Sequence, residues 1–94
     1  MARLDIYLKN AGLIKQRSEA KRACDDGRVR VDGQVAKASR PVRPGEIVGI
    51  ELIDRYIEIE ILDVPTRTPA RKERSRYSRL IRQEHRDPYA DLEF

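Results

Sequence analysis

The chain has 94 residues and a net charge of +4, and 38% of its residues are charged. A chain of this length has room for one compact domain and a short extension, because small domains bury only about 60 to 65% of their unfolded surface. The sequence contains no run of the roughly 18 apolar residues that a membrane span requires and no apolar segment typical of a secretory signal after Met1. We therefore expect a cytoplasmic protein with no membrane partner.

The charges are distributed unevenly along the chain. Residues 1–45 carry a net charge of +6 and residues 65–86 another +6, whereas residues 46–64 carry −5 and residues 87–94 carry −3. Fifteen of the 20 basic residues are arginine, whose planar guanidinium makes bidentate contacts with phosphate and stacks on bases. Solvated surface charge is the ordinary explanation of charge runs, but the arginine content favours a polyanionic partner such as nucleic acid.

A first short helix is predicted over residues 3–11. Its apolar side chains recur at the spacing of one helical face: Leu4, Tyr7, Leu8 and Ala11. Gly12 follows this stripe and is placed to end the helix in the left-handed conformation.

A second helix is predicted from Ser18, which can cap its start, to Gly27, which can end it. Its expected inner face is made of small side chains that allow the two helices to approach closely: Ala20, Ala23 and Cys24. Because Cys24 is the only cysteine, we expect a buried thiol with no disulfide and no metal site. Four basic side chains around the helix joint are then expected to project outward: Lys15, Arg17, Lys21 and Arg22.

An antiparallel sheet is predicted after the second helix. Val29 and Val31 alternate with arginines, so one side of this strand should present Arg28 and Arg30. The dipeptide at residues 32–33, Asp-Gly, is the two-residue signal of a tight hairpin.

Two further strands are predicted beyond the turn-rich connection of residues 37–45. One begins near Glu46 and runs to Leu52. In the next, three isoleucines at residues 57, 59 and 61 alternate with Glu58 and Glu60, which indicates a half-buried strand with an acidic outer face.

The alternation of apolar and polar residues that is typical of strands ends at residues 65–69. This segment contains two prolines, so we place the domain edge there. This divides the chain into a domain of residues 1–64 and a basic extension of residues 65–94 with an acidic end. Residues 70–86 include good helix formers, and we predict a helix there whose thin apolar stripe makes it marginal alone. The aromatic ring most suited to stacking on an RNA base lies in this stretch together with two arginines, and packing is its alternative role: Arg76, Tyr77 and Arg79.

Few residues are suited to catalysis. The single histidine, His85, has no cysteine or second histidine near it, and the five glycines are spread singly rather than in a phosphate-binding loop. Glu58 and Glu60 share a strand face, but strand alternation alone produces that arrangement. We therefore predict no enzyme activity, no cofactor and no metal.

Three segments together resemble a known family. The first is Arg3-Leu4-Asp5-x-x-Leu8, the second is residues 13–21, Leu-Ile-Lys-Gln-Arg-Ser-x-Ala-Lys, and the third is residues 27–33, Gly-x-Val-x-Val-x-Gly. In this order they are similar to the RNA-binding domain named after small-subunit ribosomal protein four, also called the αL motif, over roughly residues 3–50. The resemblance implies an α+β fold in which two short packed helices lie beside an antiparallel β-hairpin and a small sheet, followed by a basic helical tail.

Domains of this kind occur in ribosomal proteins, tyrosyl-tRNA synthetases, pseudouridine synthases and rRNA methyltransferases. The enzymes carry large catalytic domains, so we expect a small stand-alone member, similar to the bacterial RqcP family and the related ribosome-associated heat-shock proteins. Residues 37–39, Lys-Ala-Ser, and residues 77–81, Tyr-Ser-Arg-Leu-Ile, resemble the RqcP branch. That resemblance implies a factor, monomeric off the ribosome, that binds 23S rRNA and tRNA on obstructed 50S subunits. It also implies support for C-terminal tailing of stalled nascent chains, with a tailing factor of the RqcH type as partner.

The resemblance assigns RNA contacts to Arg3 and Arg17, while Gln16 stands where the family often has a basic residue. Projected exposure adds further candidates for RNA binding: Lys15, Ser18, Lys21, Arg22, Arg28, Arg30 and Lys37. Three alternatives stay open, namely a heat-shock type factor that rescues stalled large subunits, the RNA-targeting subunit of an rRNA-modifying enzyme, and a structural ribosomal protein.

Overall fold

The computed structural model describes residues 2–65, 67 and 69–85. In chain order, the elements are helices α1 (Leu4–Asn10) and α2 (Arg17–Asp25), strands β1 (Val29–Val31), β2 (Gln34–Val35), β3 (Ile47–Glu51) and β4 (Arg55–Ile61), a 3₁₀ helix (Arg71–Arg76) and strand β5 (Ser78–His85). Within the described ranges, five strands form one antiparallel sheet in the order β2-β1-β3-β4-β5. The α+β fold and the helix pair followed by a hairpin are confirmed.

The first turn of α1 is held by the connection between β2 and β3. The backbone N–H of Leu4 donates to the carbonyl of Arg40 at 2.8 Å, and that of Asp5 donates to the carbonyl of Ala38 at 3.1 Å. Arg3 precedes the helix in an extended conformation and forms a β-bridge with Pro41. The connection thereby satisfies two of the amide groups that a helix start leaves unpaired.

The N-cap of helix α2 lies two residues earlier than predicted. Gln16 is the extended residue at its start, and its carbonyl accepts a hydrogen bond from Ala20 N at 3.1 Å. Ser18 therefore lies inside the first turn, and the prediction that it caps the helix is wrong. The predicted end of α2 is confirmed, because Gly27 lies just beyond the helix with a φ of 75°.

The predicted hairpin is confirmed. Asp32 and Gly33 have φ angles of 51° and 86°, the left-handed pair that a tight two-residue turn between twisted strands requires. The Asp32 carboxylate also accepts a hydrogen bond from the backbone N–H of Ile47 at 3.0 Å, so the hairpin tip is tied to β3.

The core lies between the helix pair and one face of the sheet. Its fully buried apolar side chains come from both: Leu4, Tyr7, Leu8, Ala20, Val29, Val48, Ile50 and Ile61. On β4 the isoleucines are buried while Glu58 and Glu60 are partly exposed on the other face, which confirms the predicted alternation. Cys24 is buried with a relative exposure of 3%, also as predicted.

The prediction of a helix over residues 70–86 is wrong. Residues 71–76 form a 3₁₀ helix, and residues 78–85 form a strand that pairs with the whole length of β4. The edge of β4 presents a row of backbone hydrogen-bond donors and acceptors. Pairing with this edge stabilises residues 78–85 more than a helix would, because such a helix has little apolar surface to bury. Leu80 lies opposite Ile59, next to an irregularity in the register after Glu58. The domain boundary between residues 64 and 65 stays a prediction, since a strand that joins a domain's sheet can still be an extension of the domain.

Candidate RNA-binding site

A buried carboxylate organises the basic surface at the start of the helix pair. The Asp5 side chain is 1% exposed, and its oxygens lie 3.3 Å from Arg3 Nε and 3.4 Å from Arg17 Nε. Asp5 also accepts a hydrogen bond from the backbone N–H of Ile6 at 2.8 Å. The side chains of Arg3 and Arg17 remain 44% and 56% exposed, so Asp5 fixes both arginines while much of each faces solvent.

Three further candidates adjoin this arginine pair. Arg3, Arg17, Ser18 and Lys21 line one concavity above Asp5. Arg3 and Lys21 also line a second concavity, to which Lys37 contributes. The structure therefore brings five of the predicted RNA-binding residues onto one surface, which we call the helix-pair surface: Arg3, Arg17, Ser18, Lys21 and Lys37.

Arg28 and Arg30 lie elsewhere, on the outer face of the sheet. The valines of β1 point into the core and Arg30 is exposed, so the arginines project away from the helices. Arg28 forms an ion pair with Asp26 at 3.3 Å, and both arginines line a concavity that also contains Glu58. This outer face is of mixed charge, which makes it a weaker site for phosphate than the helix-pair surface.

The remaining candidates do not line the two concavities of the helix-pair surface. Arg22 is exposed on α2, and Lys15 lines a different groove beside the 3₁₀ helix. Arg76 is exposed, whereas Arg79 is ion-paired with Glu60 at 2.6 Å.

The ring of Tyr77 packs against the core, which supports the packing role over base stacking. Its backbone carbonyl accepts a hydrogen bond from the Tyr7 hydroxyl at 2.5 Å. This bond joins the end of the 3₁₀ helix to α1, and burial of the Tyr7 hydroxyl raises its pKa.

Cys24 lies beneath the helix-pair surface. Burial, and secondarily the charges of Asp5 and Asp25, raise the pKa of its thiol to about 11. The thiol is therefore neutral at physiological pH and behaves as a small apolar side chain. In the part of the chain that the structure describes, no three histidine, cysteine, aspartate or glutamate side chains are placed to share a metal ion. Nor does that part contain a helix with the length and hydrophobicity to cross a bilayer.

Reasoning from the sequence missed the function of Asp5. The Arg-Leu-Asp triplet resembles a family motif, but the triplet alone does not indicate that its aspartate holds two arginines. An acidic residue in the first turn of a helix, two residues after an arginine, is the signal that could have indicated an internal ion pair.

The sequence profile of the S4 domain matches residues 2–48. The chain therefore belongs to the S4 domain family.

Its similar relatives are small proteins of one kind. The RQC P-site tRNA stabilizing factor of Halalkalibacterium halodurans is 42% identical over 62 residues, which cover 66% of this chain and 70% of that protein. The factor of the same name from Bacillus subtilis is 32% identical over 78 residues, covering 83% of this chain and 91% of that protein.

Solved structures of similar proteins share the fold. A trimeric structure of Vibrio cholerae heat shock protein 15 has a TM-score of 0.79 at 28% identity, covering 85% of this chain and 81% of that one. The solution structure of a hypothetical protein, HP1423, has a TM-score of 0.73 at 31% identity, covering 88% of this chain and all of that one. In both comparisons the match extends well beyond the residues of the S4 domain profile.

Proposed function

We propose that this protein is a non-catalytic RNA-binding factor of ribosome-associated quality control. In this proposal it binds tRNA and 23S rRNA on obstructed 50S subunits and supports C-terminal tailing of stalled nascent chains, together with a tailing factor of the RqcH type. The observation that carries the proposal is the pair of exposed arginines, Arg3 and Arg17, held by the buried carboxylate of Asp5.

This arrangement suits a phosphodiester backbone. Arg17 contacts Asp5 through Nε, whereas Arg3 contacts it through both Nε and Nη2. Both terminal nitrogens of Arg17 and Nη1 of Arg3 are therefore directed away from the carboxylate and can donate to phosphate oxygens. Because the guanidinium groups are already oriented, binding loses less side-chain entropy than it would with free arginines. Lys21 and Lys37 add positive charge to the same surface.

The relatives support the choice of RNA. Two of them are named as stabilizing factors of P-site tRNA, and both span most of this chain's length. The S4 domain profile covers the helix pair, the hairpin and the start of β3, the part that contains the helix-pair surface.

The test is co-sedimentation with 50S subunits that retain peptidyl-tRNA. We expect Arg3→Ala/Arg17→Ala to weaken binding at least tenfold, while Arg43→Ala/Arg67→Ala, which removes the same charge from two other exposed positions, binds nearly as well as the wild type. Normal co-sedimentation of the first variant would contradict the assignment. For about five to eight phosphate contacts, the logarithm of affinity should fall against the logarithm of salt with a slope of about −4 to −7.

A heat-shock type factor that rescues stalled subunits is the second candidate, favoured by the similarity to heat shock protein 15. A reconstituted reaction with stalled subunits and a tailing factor separates the two functions. Tail extension that requires this protein supports quality control. Loss of tRNA from the subunit without tail extension supports rescue.

A further inference from the structure

A second basic groove lies at the other end of α1, beside the 3₁₀ helix. It has a volume of about 650 Å³, and the charged residues that line it are all basic: Lys9, Lys15, Arg55, Arg71 and Arg74. They come from α1, from the connection to α2, from the start of β4 and from the 3₁₀ helix. We call this the connection groove, and its lining shares no residue with the helix-pair surface.

Arg74 is held against the floor of the connection groove. Gly12 has a φ of 79°, and a Cβ atom on it would lie 2.7 Å from Arg74 Cδ and 3.1 Å from Arg74 Nη1. The arginine side chain therefore crosses the backbone at a position where only glycine leaves room for it. Its Nε is buried without a hydrogen-bond partner, so packing against the backbone at Gly12 holds this part of the side chain in place.

Charge around the connection groove favours an extended anion. Four arginine and lysine side chains come to one concavity, and successive phosphates along a strand would contact several of them at once: Lys15, Arg55, Arg71 and Arg74. Leu13 and Ile14 line the same groove and provide apolar surface for a ribose or a base edge. An RNA strand can contact the cations with its phosphates and the apolar surface with its sugars, whereas a small anion would contact only some of the cations.

We propose that the connection groove is a second binding site for an RNA backbone. It lies apart from the helix-pair surface, because Asp5 is in the first turn of α1 and Lys9 in its last. The seven residues of α1 span about 10 Å, so the two sites lie at opposite ends of this helix. The proposal deepens the proposed function by adding a second RNA contact, but binding in the groove does not depend on Arg3 or Arg17.

The test measures the affinity of the full chain for a fluorescent 12-base-pair RNA duplex by anisotropy at several salt concentrations. Arg55→Gln/Arg71→Gln removes two groove cations and leaves the contact between Gly12 and Arg74 intact. We expect about fivefold to tenfold weaker binding and a salt slope that is shallower by about 2, one unit per lost phosphate contact. Arg43→Gln/Arg67→Gln is the matched control, since it removes the same charge from outside the groove.

Two further variants make the result decisive. Arg55→Lys/Arg71→Lys keeps both charges and should restore most of the salt slope, which a folding defect would not allow. In an Arg3→Ala/Arg17→Ala background, Arg55→Gln/Arg71→Gln should weaken the residual RNA binding further. Equal affinity and slope for the groove variant and its matched control would overturn the proposal. If Arg3→Ala/Arg17→Ala has no effect while the groove variant weakens binding, the groove proposal stands and the assignment of the helix-pair surface fails.

Discussion

The Asp5 carboxylate lies 3.4 Å from Arg17 Nε, although the two residues are 12 positions apart and belong to different helices. Asp5 is buried and Arg17 is largely exposed. We propose that Arg17 touches RNA and that Asp5, which RNA does not reach, sets the direction of the Arg17 side chain. The same carboxylate reaches Arg3, and the geometry of the helix-pair surface therefore depends on one buried charge.

We expect Asp5→Asn to weaken RNA binding about threefold to tenfold, because an amide holds the two arginines less firmly than a carboxylate does. The substitution raises the net charge from +4 to +5, which by itself would strengthen binding to a polyanion. Asp26→Asn is the control, since it raises the net charge by the same amount but lies beside Arg28, away from this surface. Anisotropy with a labelled RNA duplex at fixed salt measures both. Binding by Asp5→Asn as tight as that of the control would contradict the orienting role.

Gly12→Ala should destabilise the protein more than Gly33→Ala does. Both glycines have positive φ angles, of 79° and 86°, so each substitution brings a backbone cost of about 1 kcal/mol. At Gly33 a Cβ atom meets nothing within 4 Å, whereas at Gly12 it meets the side chain of Arg74 at 2.7 Å. Urea unfolding measures the difference, and Gly12→Ala/Arg74→Ala should reduce it. Equal losses for the two single variants would show that Arg74 moves aside without cost.

Tyr7→Phe should loosen the 3₁₀ helix from the domain. The Tyr7 hydroxyl donates to the carbonyl of Tyr77 at 2.5 Å, and its removal leaves the backbone N–H of Leu62, at 3.0 Å, as the donor to that carbonyl. We expect a loss of about 0.5 to 1.5 kcal/mol in the free energy of unfolding, as for one hydrogen bond, and faster amide exchange over residues 71–77. Tyr56→Phe is the control, because its hydroxyl bonds Glu58 on the outer face of the sheet. Unchanged exchange over residues 71–77 in Tyr7→Phe would contradict this anchoring role.

Cys24 should make the protein less stable in alkali. Its pKa is raised from 9.0 to about 11, so the folded state favours the neutral thiol. The stabilisation is fully present below pH 9 and is lost as pH rises toward 11, where the unfolded chain has already released the proton. Cys24→Ala should therefore show a smaller decrease in stability over this pH range, as measured by urea unfolding. Equal decreases in the variant and the wild type would show that the thiol does not titrate differently on unfolding.

The local features of the fold were predictable from sequence, and the long-range ones were not. The turn at Asp32 and Gly33 and the alternation in β4 depend on neighbouring residues, and both agree with the structure. Strand β5 was missed because its conformation depends on the edge of β4, which residue preference within 78–85 does not reveal.

In the candidate site, too, local features are predictable from the sequence and long-range ones are not. The exposure of Arg17 is predictable from helix phasing, and the alternation of Arg28 and Arg30 with valines predicts that they share one side of the strand. The sequence does not indicate that this side of the sheet lies apart from the helix-pair surface. The connection groove combines residues from α1, from the connection between the two helices, from β4 and from the 3₁₀ helix, and no spacing in the sequence indicates that they meet.

The order of the strands also bears on how the chain folds as it is synthesised. Strands β3, β4 and β5 each pair with the strand next to them in the chain, so the sheet can grow from β3 onward in the order of translation. Until β5 is made, the edge of β4 is open, and an open edge invites pairing with another chain. Once β5 has joined, the new edge of the sheet contains the charged side chains of Arg82 and Glu84, which discourage such pairing, and the exposed side chains of Leu80 and Ile81, which do not. Completion of the chain through β5 therefore moves the open edge of the sheet from β4 to β5.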